Sequence, residues 1–343
     1  MMELYEQICL MKNLRSAYRK VRRGKARKWY VKEFDGDLER NLKLLQKELI
    51  NRTYKPLPLK EFVIRDPKTR VIRAPTFRDR VIHHAVCNII EPLFEKTYIS
   101  DSYASRKGKG MHIALVRFDK FKRKVSGNGA LSPYANSQNM VCGFALKADI
   151  RHYFPSVDHK ILIHLIRKKI SDEQVLSLLE NVIDTYSEGG KGMPLGALTS
   201  QIFANVYLNP LDHFIKEKLG AKYYMRYLDD FVVLHESRHQ LDEWKIEIGN
   251  FLVGELKLEL HPEKTSIFPI HHGVGLLGFR CFYYHRLLKK SNVRHMMQKL
   301  EAMEKDKQEK SLEGWFAHAR WGNTYKLRRK IIEKHAPDIQ VKE

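Results

Sequence analysis

Apolar residues recur at helical spacing through residues 3 to 51, most regularly at Leu38, Leu42, Leu45 and Leu49. The pattern predicts a charged helical lead-in whose basic stretch, RKVRRGKARKWY, lies at the turn between two helices. From Tyr54 onward, extended and proline-punctuated pieces precede a helix that starts near Phe77 and carries Val81, His84, Ala85 and Ile89 on one face. Glycine, serine and asparagine then crowd residues 119–141, as expected of a flexible surface excursion between two ordered parts. FALKADIRHYF reads as a strand, HKILIHLIRKKI and DEQVLSLLENVIDTY as helices, and TSQIFANVYLNPLDHFIKEKL as a long helix entered through GMPLGAL. YYMRYLDDFVVL, residues 223–234, reads as two strands around a turn. Past Pro262 come the short extended pieces KTSIFPI and GVGLLGFRCFYY, then a basic, mainly helical tail from about Asn292. No repeat of solenoid period is present, and the mixture of strands and helices predicts an α+β chain.

Composition narrows the partners. Lysine and arginine number 62 against 40 aspartates and glutamates, a net charge of +22, and the pI is near 9.7. A basic field spread over several lobes attracts polyanions, so nucleic acid leads as partner class. A membrane-surface role fits less well, because no basic amphipathic segment dominates. Cys9, Cys87, Cys142 and Cys281 are far apart and form no C-x-x-C pair, which argues against a zinc knuckle or a disulfide framework and fits a reducing cytoplasm. The N-terminus lacks the apolar core of a signal peptide, and no apolar run approaches a membrane span.

The candidate chemistry begins with Asp229 and Asp230, adjacent carboxylates between apolar strands. Charge there is unfavourable unless water, hydrogen bonds or a cation compensates it. Either the two acids sit in a solvated hairpin turn, or they hold a divalent ion. Eighty residues earlier FALKADIRHYFPSVDH supplies another apolar strand ending in an acid, Asp149, so three carboxylates can converge. Magnesium takes hard oxygen ligands, usually one or two carboxylates plus water and substrate phosphates. Two such ions would suit an in-line displacement at a nucleoside triphosphate. Spacing alone does not choose between these readings.

The combination resembles the reverse transcriptases, in order, from about Tyr54 to Leu327. YLDD looks like their Y-x-D-D box, and ADIRHYFPSVDH is similar to the motif bearing the other metal-binding aspartate; GMPLGALTSQIFANVYLN, HPEKTSIF and GVGLLGF follow in the family's order. The resemblance implies a right-hand polymerase fold of fingers, palm (an antiparallel sheet packed on helices) and helical thumb. It divides the chain into a basic helical lead-in at 1–53, fingers at 54–145 with the flexible loop near 119–141, a palm at 146–284 that includes helices within 159–187, and a thumb at 285–343. It makes Asp149, Asp229 and Asp230 catalytic, binding two Mg2+ ions for which Mn2+ can substitute, with the Ile150 carbonyl supporting the second ion.

Further roles follow from the same resemblance. Phe154 would stack under the incoming sugar and exclude a ribose 2′-hydroxyl; the alternative is an aromatic that only fills the core. Arg70 and then Lys68 would hold the triphosphate, since a guanidinium clamps phosphate oxygens bidentately and lysine acts as a point charge. Arg78 and Arg80 either contact template or are solvated helix charges. Arg106, Lys107 and Lys109 suit a nucleic-acid backbone that Gly108 and Gly110 allow to approach, or form an exposed basic loop. Tyr227 would face the nucleic acid, Lys264 would approach the triphosphate and help protonate pyrophosphate, and GVGLLGF would grip the primer. His83, His84, His271 and His272 lack carboxylates at metal-ligand spacing and read as structural or surface residues.

LGALTSQ separates subgroups. Many members have Gln-Gly-x-x-x-Ser-Pro, whereas this chain has Leu195, Gly196, Ser200 and Gln201 around the nucleotide site. That version resembles the reverse transcriptases of diversity-generating retroelements, which make cDNA with errors at template adenines. Leu195 supplies none of the hydrogen bonds of a glutamine amide, so lower fidelity is expected. The tail SLEGWFAHARWGNTYKLRRKI resembles that group's thumb, whose Arg320, Lys326, Arg328 and Arg329 would track an A-form duplex. The partners implied are template RNA, a primer or cDNA end, dNTPs and a small basic ring-forming accessory protein. No room is expected for a ribonuclease H, endonuclease or integrase domain. A retron or phage-defence enzyme, and a catalytically idle RNA-binding scaffold, remain alternatives.

Overall fold

The computed structural model describes residues 2–65, 69–137, 139–186 and 189–335, the side chains of Lys305 and Asp306 excepted. Two compact units emerge, and each gathers distant segments. The first comprises Met1–Arg106, Ile150–Gly220 and Glu247–Pro262, the second Lys107–Asp149, Ala221–Ile246 and Glu263–Glu343. They are interleaved along the chain, because antiparallel pairing joins strands far apart in sequence.

The first unit starts with helices Leu4–Cys9, Met11–Arg22, Trp29–Asp35 and Leu38–Ile50, four rather than two. Leu42, Leu45 and Leu49 are wholly buried, as their spacing requires. Strands β1 (Lys60–Ile64) and β2 (Arg70–Ala74) pair antiparallel, and β1 is exposed throughout. Thr76 then caps the helix Phe77–Glu95 by accepting from the Asp79 amide. This helix buries Val81 and Ala85 as expected, but also Ile82, Val86 and Ile90, so apolar contacts surround it instead of lining one face. Helices His159–Arg167 and Glu173–Asp184 begin at Asp158 and Asp172, whose carboxylates accept from first-turn amides. The long helix Leu198–His213 follows the extended entry segment.

In the second unit a helix spans Met111–Val125, and Leu131 and Val141 are bridged beyond it. Residues 119–125, expected in the flexible excursion, are therefore helical. The reason is visible in the burial of Phe118, Phe121 and Val125, an apolar face the composition of the following loop obscured. Lys122 is fully buried, paired with Asp119 at 2.8 Å, and its ammonium donates to the Phe282 carbonyl. Arg286 reaches the same Asp119 at 2.7 Å.

Strands β3 (Phe144–Asp149), β4 (Tyr223–Tyr227), β5 (Asp230–His235) and β6 (Ser266–Pro269) form an antiparallel sheet in the order β4-β5-β3-β6. A smaller sheet joins β7 (Val274–Leu276), β8 (Phe279–Cys281) and β9 (Arg286–Leu288). At its first hairpin Gly278 has φ 87°, and a Cβ there would lie 3.0 Å from Asn292 and 3.1 Å from His318. Helices Lys290–Glu301, Lys305–Ala319 and Tyr325–His335 follow, and Met296, Leu300, Leu312 and Ile331 form a common core with Trp315 and Leu327 packed against it.

Candidate active site

Antiparallel register assembles the acidic cluster. β5 begins at Asp230, which stands opposite Tyr227 of β4 on one side and Asp149, the last residue of β3, on the other. Asp229 lies beside it in the two-residue connection Leu228–Asp229, where Leu228 has φ 61°. Three acids thus meet at one end of a sheet whose strand β5 is apolar behind them, with Phe231, Val232, Val233 and Leu234 all buried.

The electrostatics there are unsettled in a way that favours a cation. Burial pushes the Asp230 carboxyl up to about 6, opposed by Lys147 and reinforced by Asp149 and Asp229. Its Oδ1 is buried and accepts no hydrogen bond among the described residues, although Lys147 Nζ stands at 3.4 Å, an ion-pair distance. Lys264 donates to Asp149 Oδ1 at 3.0 Å. No ready-made cage of three or more His, Cys, Asp or Glu occurs among the described residues. A magnesium ion does not need one, since one or two carboxylates suffice when water and substrate phosphates complete the shell. Hard oxygens, a buried carboxylate oxygen without a hydrogen bond among the described residues and adjacent acids fit such an ion.

The family resemblance pointed to Lys264, and the structure brings it to Asp149. Lys147 and Arg226 were missed. Each is a lone charge inside an apolar strand, and Lys147 is two positions before Asp149, hence on the same face, which was the available signal. Lys107 is exposed, Lys109 half-buried, and both belong to the second unit. Arg320, Lys326 and Arg329 are exposed on the C-terminal helical segment, and Arg328 is half-buried.

Other expected residues belong to the first unit. Phe154 is half-buried in the short helix Tyr153–Ser156, its ring 5.4 Å from that of Tyr153, and its carbonyl accepts from the Met193 amide. Gly196 has φ 122°, and a Cβ there would meet Ile72 of β2 at 3.1 Å, so close packing on the hairpin demands glycine. Gly196 and Gln201 line a cleft of about 270 Å³ with Lys25, Phe62, Ile72 and Arg80. Leu195 is half-buried and Ser200 is buried. Ile150 is buried and bridges Leu260. Arg70 is exposed at the start of β2, while Lys68 lies outside the described residues.

Two arginines turn inward instead. The Arg106 side chain is 5% exposed; it donates to both oxygens of Glu95 and to the carbonyls of Ile99 and Ser102. Its guanidinium holds a loop, which departs from the expected backbone contact. Arg78 pairs with Glu48 and with Asp79 at 3.0 Å and lies over the Tyr54 ring, so intrachain partners engage its guanidinium. Both were read as surface groups because their carboxylate partners are not evident from sequence. His83 is buried, its imidazole near Thr199 and pushed down to about 3 by burial, in keeping with a structural histidine.

A family model described as reverse transcriptase (RNA-dependent DNA polymerase) matches residues 64–281. Protein YkfC of Escherichia coli K12 is 26% identical over 295 residues, which cover 73% of this chain and 71% of YkfC. The group II intron-encoded protein LtrA of Lactococcus lactis subsp. cremoris is 24% identical over 317 residues, covering 71% of this chain and 50% of LtrA. The chain therefore spans about half the length of that relative. Among solved structures, apo telomerase of Candida tropicalis has a TM-score of 0.52 at 12% identity over 69% of this chain and 48% of that one. The form truncated from its C-terminal domain has a TM-score of 0.51 at 14% identity, over 68% and 55%. This likeness is one of fold: the mixed architecture with antiparallel sheets is that of a right-hand polymerase.

Proposed function

Since the chain belongs to the reverse transcriptase (RNA-dependent DNA polymerase) family, we propose that it is an RNA-directed DNA polymerase, a nucleotidyltransferase that extends a primer with dNTPs on an RNA template. The register that sets Asp149 against Asp230, beside Asp229, carries this reading. Asp149, Asp229 and Asp230 would hold the divalent ions, and the Ile150 carbonyl would assist. When bound, two such ions activate a primer hydroxyl and stabilise the departing pyrophosphate. Lys147 and Lys264 balance the carboxylate charge, and Lys264, exposed and 3.0 Å from Asp149, is available to give a proton to the leaving group. Arg70 would receive the triphosphate and Phe154 the sugar.

The finer reading is error-prone synthesis at template adenines in a diversity-generating retroelement, with a ring-forming accessory protein. Leu195, Gly196, Ser200 and Gln201 support it by their resemblance to that subgroup, and Leu195 by its inability to hydrogen-bond. Primer extension on RNA with magnesium tests the activity: wild type extends, and Asp229→Ala falls to background. Equal extension by both removes the active-site assignment. If neither extends while both bind RNA, the idle scaffold replaces the enzyme. Sequencing the cDNA tests the subgroup, because errors spread evenly at low frequency contradict it.

A further inference from the structure

Arg226 is fully buried in β4, although charged side chains are almost never fully buried unless they are paired. Its register partner is Phe231, and the next pair outward is Tyr227 with Asp230, so only Leu228 and Asp229 close the hairpin. Such a tight connection turns on residues with positive φ, and glycine or asparagine normally fills those positions. Here Leu228 has φ 61°, a conformation strained for a side chain branched beyond Cβ. Arg226 Nη1 donates to the Leu228 carbonyl at 3.0 Å. That bond orients the peptide joining Leu228 to Asp229, one of the proposed ion ligands.

We propose that Arg226 is a positioning residue of the acidic hairpin: by holding the Leu228 carbonyl from within the core, it keeps Leu228 left-handed and directs the carboxylates of Asp229 and Asp230 before an ion arrives. This rests on the reading of those carboxylates as ion ligands. The arginine needs no contact with substrate. It acts through the direction of one peptide group, and a preorganised ligand set binds an ion more tightly than one that must first reorder. A cationic donor makes a stronger bond to that carbonyl than a neutral side chain would.

The test measures Mn2+ binding to the nucleotide-free protein by electron paramagnetic resonance, alongside primer-extension kinetics and thermal unfolding. Arg226→Met is expected to weaken Mn2+ binding about tenfold and to lower kcat about tenfold, with KM for dNTP within about twofold. Arg226→Lys, which retains a cationic donor, recovers part of the affinity. Leu228→Gly added to Arg226→Met also recovers part, because glycine adopts positive φ unaided. If Arg226→Met does not fold, Leu228→Val supplies the same test with the core arginine in place; β-branching disfavours the left-handed conformation, so Mn2+ binding weakens severalfold. Wild-type Mn2+ affinity in a folded Arg226→Met protein, or in Leu228→Val, overturns the proposal. Asp229→Ala separates the two levels of inference. If it too binds Mn2+ like wild type, the carboxylates are not the ligands; if it loses Mn2+ while the Arg226 and Leu228 variants retain it, only the positioning role fails.

Discussion

Burial pushes the Asp230 carboxyl up to about 6, so without an ion the folded chain holds a proton that the unfolded chain releases near pH 4. Stability from this group is fully present below the unfolded value and is lost as pH rises through about 6. Asp230→Asn keeps the shape and removes the charge. In EDTA it should be more stable than wild type above pH 6, by roughly 1–3 kcal/mol, with the gap closing as pH falls toward 4. Denaturant titrations across that range check this, and a gap that does not vary with pH would assign the difference to packing. Leu195 bears on fidelity at the same scale. Leu195→Gln should lower misincorporation opposite template adenines in sequenced cDNA, since the amide supplies a donor and acceptors that leucine lacks. An unchanged error spectrum removes that account of the position.

Among the elements, the helix Met111–Val125 and strands β7–β9 are tied by one carboxylate. Asp119 meets Lys122, whose side chain is 1% exposed, and Arg286, which also donates to the Trp321 carbonyl. Removing the acid leaves a buried ammonium without its counter-charge, so Asp119→Ala should lose about 3 kcal/mol of unfolding free energy, and Asp119→Ala with Lys122→Met should recover much of it. Double-mutant denaturation measures the coupling; additive losses would show that the two residues act apart. The glycine-rich hairpin has a comparable dependence on its surroundings. GVGLLGF announces a turn in sequence, but the need for Gly278 comes from Asn292 and His318, which close on it.

For the whole molecule, a charge of +22 predicts RNA binding that weakens steeply with salt. If it neutralises six to ten phosphates, affinity should fall about 10³–10⁵-fold between 50 and 200 mM salt, measurable by filter binding. A flat salt profile would contradict electrostatic recognition. The chain's strands, its main helices and its three acids were legible in order, because alternation, helical spacing and punctuating residues are local properties. So was the helical entry at Leu198. The direction of charged side chains was not. Arg78, Arg106 and Lys122 look alike in sequence as solvated cations, yet carboxylates and carbonyls brought from elsewhere in each unit draw them inward. The sequence by itself determined the elements and the acidic motifs, since these depend on neighbouring residues. Only the tertiary structure decided that Asp149 stands opposite Asp230, that Lys264 reaches Asp149 and that residues 119–125 are helical, because strand register and burial depend on partners far along the chain.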